Sequence, residues 1–304
     1  MNFTYLHNIP LRLDKFILQQ LPAYSRTQIH KMTISVNGEV VKWGYKLQLG
    51  DSIVVHDQPA KQQPIDVKPA NITLDIVDED EHIIIINKPA GMVTHPAVGN
   101  YDNTLVNALL YHYDREALSD INLGRFGIVH RLDKDTSGLL VVAKHNQVHQ
   151  HLAKQFAERT IIRNYQALVY GLPIPSCGEI IKHITRHPMQ RKQMTVSHDQ
   201  TIGRYAHTKY QTSASFADGK YSLVEYKLLT GRTHQIRVHS LYAKFPILGD
   251  PVYNTVASSN NSAHRYFANK QALCAYCLGF HYLGRDYYYQ IPLPQNMQEF
   301  MKMY

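Results

Sequence analysis

Apolar positions recur along this chain at two spacings, and the change from one to the other marks out its elements. Leu13, Phe16, Ile17 and Leu21 fall at helical intervals, and Ser25-Arg26-Thr27-Gln28 has the form of a capping box opening a second helix. Val36-Asn37-Gly38-Glu39-Val40 then sets Asn-Gly between strand-forming residues, and Ser52-Ile53-Val54-Val55 follows the turn at Leu49-Gly50-Asp51. Residues 1–57 are therefore expected to form a small unit of two helices and a sheet. Gln58 to Pro69 contains Pro59, Pro64 and Pro69 and little that is apolar, so residues 58–70 read as a linker.

Beyond it, Ile72, Leu74 and Ile76 alternate as a strand, Asp78-Glu79-Asp80-Glu81 reads as a solvated acidic turn, and Ile83 to Ile86 reads as a buried strand. Leu105, Val106, Leu109, Leu110 and Tyr113 predict a helix, as do Val148, Leu152 and Phe156. Strand signals return at Ile161 to Val169, Tyr221 to Leu229 and Asp286 to Ile291. Residues 71–304 are thus a second, larger domain of mixed α and β, without internal repeats.

Composition adds little to this picture, whereas charge adds a partner. Of 304 residues, 44% are hydrophobic and 18% charged, as in an ordinary folded soluble protein. Lys and Arg exceed Asp and Glu by 32 to 24, a formal +8, which suits a polyanion but is equally the mark of a bland basic surface. Met1 to Lys15 has no basic stretch leading into an apolar run, and Ile83 to Ile86 is far too short to span a bilayer. The expectation is a cytoplasmic protein without a membrane partner. Cys177 stands far from Cys274 and Cys277, and the C-x-x-C pair has no second pair of ligand spacing, so both of its cysteines are read as packing residues and no metal is expected.

Four polar segments are candidates for chemistry. His130-Arg131-Leu132-Asp133-Lys134-Asp135 packs five ionisable residues between apolar, strand-like flanks. Rigid flanks of that kind hold reactive groups in place, although a hydrated turn with internal ion pairs has the same signature. Thr230 to His239 places Gly231 at a strand-to-helix turn and Arg237 on the helix, where it can neutralise a carboxylate from another loop, snorkel, or bind phosphate. Tyr165 shares a strand face with Ala167 and Val169, and can stack on a base or simply pack. Lys182, Arg186, Arg191, Lys192 and Arg204 interleave with histidines between Ile181 and Thr208, a composition suited to tracking an RNA backbone.

Taken together, these segments resemble the large-subunit ribosomal RNA pseudouridine synthases of the A and D types. Asn87 to Pro96 is similar to that family's first block, His130 to Gly138 to its catalytic block, and Gly231 to His239 to its arginine block. Residues 1–57 resemble a small S4-type RNA-binding module, through Arg12-Leu13-Asp14, Tyr24-Ser25-Arg26 and Val36-Asn37-Gly38. Pro22 to Arg26, Gly99-Asn100 and Ile184 to Pro188 bring it nearer the D type. Two positions depart from the family: Arg163 stands where lysine is usual, and Cys274 where histidine is usual.

The resemblance implies an α+β fold with a mainly antiparallel sheet, and an isomerase that needs neither cofactor nor metal and acts as a monomer. It implies that Asp133 is the catalytic carboxylate, that Arg237 pairs with it, and that Tyr165 stacks on the base. Arg131 would fill the place of a flipped base, and further RNA contacts would come from His130, Arg163, Lys88, Arg232, His234, Arg26, Arg186, Arg191 and Lys192. The implied substrate is 23S ribosomal RNA, free or in a pre-ribosomal particle, at a hairpin near the subunit bridge. The competing readings are a non-catalytic RNA-binding or ribosome-assembly protein, a related synthase acting on transfer RNA, and a metal hydrolase built on Asp133, Asp135 and His130.

Overall fold

The run Ile83 to Ile86 is apolar at every position because both of its faces are covered. Ile84 and Ile86 pack with Leu140, Val142 and Ile128, whereas Ile83 and Ile85 pack with Leu139, Val141 and Leu152 on the other side. The coordinates are a computed structural model, described over residues 1–21, 24, 29–30, 32–56, 67–96, 100–113, 126–190, 192–254 and 265–304.

The chain forms two compact units, Met1–Asp66 and Val67–Tyr304. In the first, the helix Leu13–Gln20 buries Leu13, Phe16 and Ile17 in a core with Ile34, Val36, Ile53 and Val55. The expected hairpin forms: Thr33–Val36 pairs antiparallel with Glu39–Val40, and Asn37 and Gly38 take the positive φ angles of 53° and 85° that such a tight turn requires. The capping box at 25–28 lies outside the described residues.

The second unit is built on a ten-stranded sheet. Its path runs Met194–Ser197, Cys177–Arg186, Arg204–Phe216, Tyr221–Leu228, Ile162–Tyr170, Leu273–Tyr282, Ser137–Ala143, Ile83–Lys88, Ile76–Glu79, with Arg285–Gln290 paired to Leu273–Tyr282. Every pairing is antiparallel except that of Ser137–Ala143 with Leu273–Tyr282. The expected helices appear as Leu105–His112 and Asn146–Glu158. Long-range pairing also makes strands of much of the basic stretch 181–208.

Three local expectations are corrected. Residues 67–70 belong to the second unit and not to a linker: Val67 is buried in its core, and Ala70 N–H donates to Asn107 O at 3.0 Å. The strand predicted from Ile72 begins only at Ile76 and continues through Glu79. The acidic run is consequently a bonded node rather than a solvated turn, with Lys144 Nζ and Tyr113 Oη each 2.7 Å from Glu79 Oε1, and Tyr289 Oη 2.6 Å from Asp78 Oδ2. The C-terminal helix Gln295–Met303, which the pattern did not predict, buries Met297 and Phe300.

Gly138 is required where the two parallel strands meet. Its φ is +113°, and a Cβ there would lie 2.3 Å from Ala275 O. Gly138→Ala should therefore destabilise the protein by about 2 kcal/mol or more, as strained backbone and steric overlap combine. Urea denaturation measures this, and a loss below about 0.5 kcal/mol, the size of an ordinary surface change, would contradict it.

Candidate active site

Asp133 sits in a loop held from behind. Gly91 N–H donates to Lys134 O at 2.8 Å, Thr94 Oγ1 to Leu132 O at 3.3 Å, and Thr136 N–H to Asp133 O at 3.1 Å. Lys88 is fully buried, and its ammonium donates to Pro89 O, Met92 O and Lys134 O at 2.8, 2.9 and 3.1 Å. Burial pulls its pKa down to about 8 against the fields of Asp135 and Asp133. The expected RNA contact from Lys88 is thus corrected: all three donors are engaged by backbone oxygens and solvent does not reach them.

The turn before the arginine helix is folded by Gln235. Its Oε1 accepts from Thr230 Oγ1 and Arg232 N–H at 2.8 and 2.9 Å, while its Nε2 donates to His207 O and Thr208 Oγ1 at 3.1 and 2.9 Å. This sets the helix Gln235–Tyr242 so that Arg237 Nη1 donates to Asp133 Oδ2 at 3.1 Å. Arg237 Nε and Nη2 donate to the two oxygens of Asp250 at 2.7 and 2.8 Å. Asp250 is completely buried, and its Oδ1 also accepts the N–H groups of Val252 and Tyr253 at 2.9 and 3.1 Å. Burial opposes the charge of Arg237, yet the bonds from Asp250 and the field of Asp133 outweigh it and raise the guanidinium's pKa.

Asp250 and Tyr253 were not among the sequence candidates. The one available signal was a lone carboxylate in the otherwise apolar run Ile247-Leu248-Gly249-Asp250-Pro251-Val252-Tyr253. The Tyr253 ring lies 4.9 Å from the Arg237 guanidinium, and its hydroxyl lies 2.8 Å from His234 Nδ1. Because that hydroxyl accepts Met194 N–H at 2.7 Å, its proton is directed to Nδ1. The neutral His234 ring then carries its own proton on Nε2, 3.9 Å from Asp133 Oδ2. Burial lowers the pKa of His234, against the field of Asp133.

A pocket of about 360 Å³ opens over Asp133, with Arg131, Arg163, Tyr165, Ile236 and Leu273 among its walls. Its size is within the range of sites that enclose small molecules or single residues of a polymer. Oδ2 of Asp133 is bonded by Arg237, whereas Oδ1 has no hydrogen bond among the described residues. Tyr165 is 7% exposed, and burial raises its hydroxyl pKa. Cys274 is buried among apolar side chains, and burial pushes its thiol up to about 11.

The remaining expected contacts divide by burial. Arg131 is exposed at the pocket. Arg232 also lines it, donating from Nε to Tyr205 O at 2.8 Å, and its pKa is lowered by partial burial and by the fields of Arg204 and Arg159. Arg186 and Lys192 are exposed beyond the pocket, near the turn joining Cys177–Arg186 to Met194–Ser197. Arg26 and Arg191 lie outside the described residues. His130, expected as an RNA contact, lines the pocket half-buried; its Nε2 accepts Val141 N–H at 3.1 Å and its ring stacks on Phe156 with centroids 4.7 Å apart. Arg163, expected as an RNA contact, is a buried wall of the pocket, 9% exposed.

Residues 82–242 match a family model described as RNA pseudouridylate synthase. This chain belongs to that family, and it is an isomerase. It is 41% identical over 298 residues to an uncharacterized RNA pseudouridine synthase of Bacillus subtilis (strain 168), covering 96% of this chain and 93% of the relative. It is 40% identical over 301 residues to ribosomal large subunit pseudouridine synthase D of Zymomonas mobilis, covering 96% and 93%. Among solved structures, human RNA pseudouridylate synthase domain containing 1 superposes with a TM-score of 0.58 at 25% identity, over 73% of this chain and 84% of that one. The α+β fold with its mainly antiparallel sheet is that of the family.

The neutral state of His130 has a pH signature. Burial, aided by the field of Arg163, lowers its pKa from 6.5 to about 3. The unfolded chain therefore binds more protons in that window, so the contribution of His130 is complete above pH 6.5 and declines as pH falls toward 3. Between pH 7 and pH 5 the unfolding free energy of wild type should fall more steeply than that of His130→Gln. Parallel slopes in urea titrations would contradict this.

Proposed function

We propose that this enzyme converts uridines of large-subunit ribosomal RNA to pseudouridine, with Asp133 as the carboxylate that acts on the detaching nucleoside. The observation that carries this reading is the 3.1 Å bond from Arg237 to Asp133 inside a pocket walled by Tyr165. A carboxylate fixed through one oxygen, with the other unbonded, is equipped to attack a sugar or base carbon, or to take a sugar proton. The isomerisation breaks the bond between N1 and C1′, turns the uracil, joins C5 to C1′ and releases the C5 proton. It needs no redox partner or group donor.

The substrate assignment draws on relatives named ribosomal large subunit pseudouridine synthase D, which align with 96% of this chain in Zymomonas mobilis and 95% in Buchnera aphidicola. Residues 1–66 are read as an S4-like RNA-binding module that helps select the substrate, with residues 67–304 as the catalytic domain. A base in a stacked helix must be extruded to reach Asp133, at about a few kcal/mol. Stacking on Tyr165, and of Arg131 in the vacated position, returns roughly 1 to 3 kcal/mol for each base–plane contact. The two terms are comparable, so flipping does not demand a large surplus of binding energy.

Asp133→Asn should leave RNA binding intact and reduce tritium release from RNA labelled at uracil C5 by about 10³-fold or more, the scale seen when a reacting group is removed. Substantial residual turnover would sink the assignment. Large-subunit RNA from cells lacking the protein should lose defined pseudouridines; loss confined to transfer RNA would move the target. Arg131→Ala should slow reaction on a structured hairpin more than on a flexible fragment, and equal slowing would remove its role in flipping.

A further inference from the structure

Among the described residues, the wall of the pocket holds a buried cation without an acid partner. Arg237 is neutralised by both Asp250 and Asp133. Arg163 is 9% exposed, forms no ion pair among the described residues, and its Nε has no hydrogen-bond partner there. Its guanidinium lies 5.2 Å from the ring of Phe156 on one hand. On the other it fills the space that a side chain at position 231 would need, since a Cβ on Gly231 would come within 2.8 Å of Nη1. The neighbouring His130 is neutral and already bonded to Val141. A buried guanidinium without an acid is costly, and it is accounted for by a negative charge that arrives with a ligand.

The position of Arg163 identifies that charge. Phosphates travel with the RNA strand, and the exposed Arg131 and the mutually close Arg232, Arg204 and Arg159 offer cations where a strand can pass. Arg163 instead stands in the pocket wall, two residues before Tyr165 in the strand Ile162–Tyr170 and on the same buried face. The group that enters beside Tyr165 is the base.

We propose that Arg163 binds the uracil as it leaves the sugar and holds its negative charge while the base turns. This rests on the reading of the pocket as a uridine site. When the bond between C1′ and N1 breaks, its electron pair goes to the uracil and spreads over N1 and the carbonyl oxygens. C1′, left electron-poor, either bonds an oxygen of Asp133 or is relieved by loss of the C2′ proton to Asp133, a proton returned later. The pair comes back to C1′ through C5, C5 then gives up its proton and N1 takes one up from solvent, so atoms and electrons balance without a co-reactant. A planar guanidinium donates to a carbonyl oxygen more strongly as that oxygen gains charge, so the bond strengthens during cleavage itself. Arg163 is in this sense a catalytic residue.

The test compares single-turnover rates on one RNA hairpin carrying either uridine or 5-fluorouridine at the target, following loss of the starting nucleoside by digestion and chromatography. Fluorine already stabilises the uracil anion, so help from Arg163 is worth less there. Arg163→Met should slow the uridine substrate by about 100-fold, the scale of losing one charge-stabilising donor. It should slow the fluorinated one several-fold less. RNA affinity and its salt dependence should not change, the melting temperature should be equal to or higher than wild type, and Arg163→Lys should recover most of the rate. Equal slowing on both substrates would overturn the proposal, as would weaker binding with a salt slope shallower by about one, the mark of a phosphate contact. If Arg163→Met does not fold, Arg163→Gln carries the same comparison. Wild-type enzyme that converts neither substrate would instead overturn the uridine site itself.

Discussion

The bidentate bond between Arg237 and Asp250 is the constraint on which the site depends. Both groups are nearly or wholly withdrawn from water, so each would carry a heavy desolvation penalty alone. Paired, they form a rigid fork whose third donor has one direction left, and Asp133 lies along it. Val252 and Tyr253 fix the far carboxylate through their backbone N–H groups, and the Tyr253 ring covers the guanidinium. The geometry of Asp133 is thus determined from the opposite wall of the pocket as much as by its own loop.

The loop itself is held by the Gly91 N–H, the Thr94 hydroxyl and the buried ammonium of Lys88. Four residues beyond Asp133, the chain enters a strand that meets Leu273–Tyr282 at the parallel pairing of the sheet, where only glycine at 138 permits the approach. A reactive carboxylate is precise only when its supports are rigid, and here they include Lys88 at a strand end, the helix that carries Arg237 and the wholly buried Asp250. Charge is sorted by depth in the same way. Lys88 is bonded to backbone oxygens and Arg237 to two carboxylates, Arg131 is exposed at the pocket and suits a polyanion, and Arg163 stands between, buried and without an ion pair among the described residues.

Much of this was legible in the chain. The Ile83 to Ile86 run announced a strand covered on both faces, Asn37-Gly38 a tight hairpin, and the ordered blocks around Asp133, Tyr165 and Arg237 a family. These signals are local: they depend on side-chain periodicity, on the φ preferences of single residues and on short-range spacing, all of which sequence order preserves. The same locality explains the errors. The acidic run 78–81 looks solvated until Lys144, Tyr113 and Tyr289 arrive from elsewhere to bond it.

Lys88, His130, Arg163, Arg131 and Arg232 carry indistinguishable signatures as basic or polar residues beside candidate blocks, and the sequence determined only that they lie near the chemistry. The tertiary structure decided that Lys88 holds backbone oxygens, that His130 is neutral beneath Val141, and that Arg163 is buried while Arg131 is exposed. It also brought in Asp250 and Tyr253, which no motif had marked. The reason is that burial and charge pairing are properties of segments distant in sequence that meet in space. A residue's type gives its chemistry, but only its neighbours determine whether that chemistry faces water, backbone or substrate.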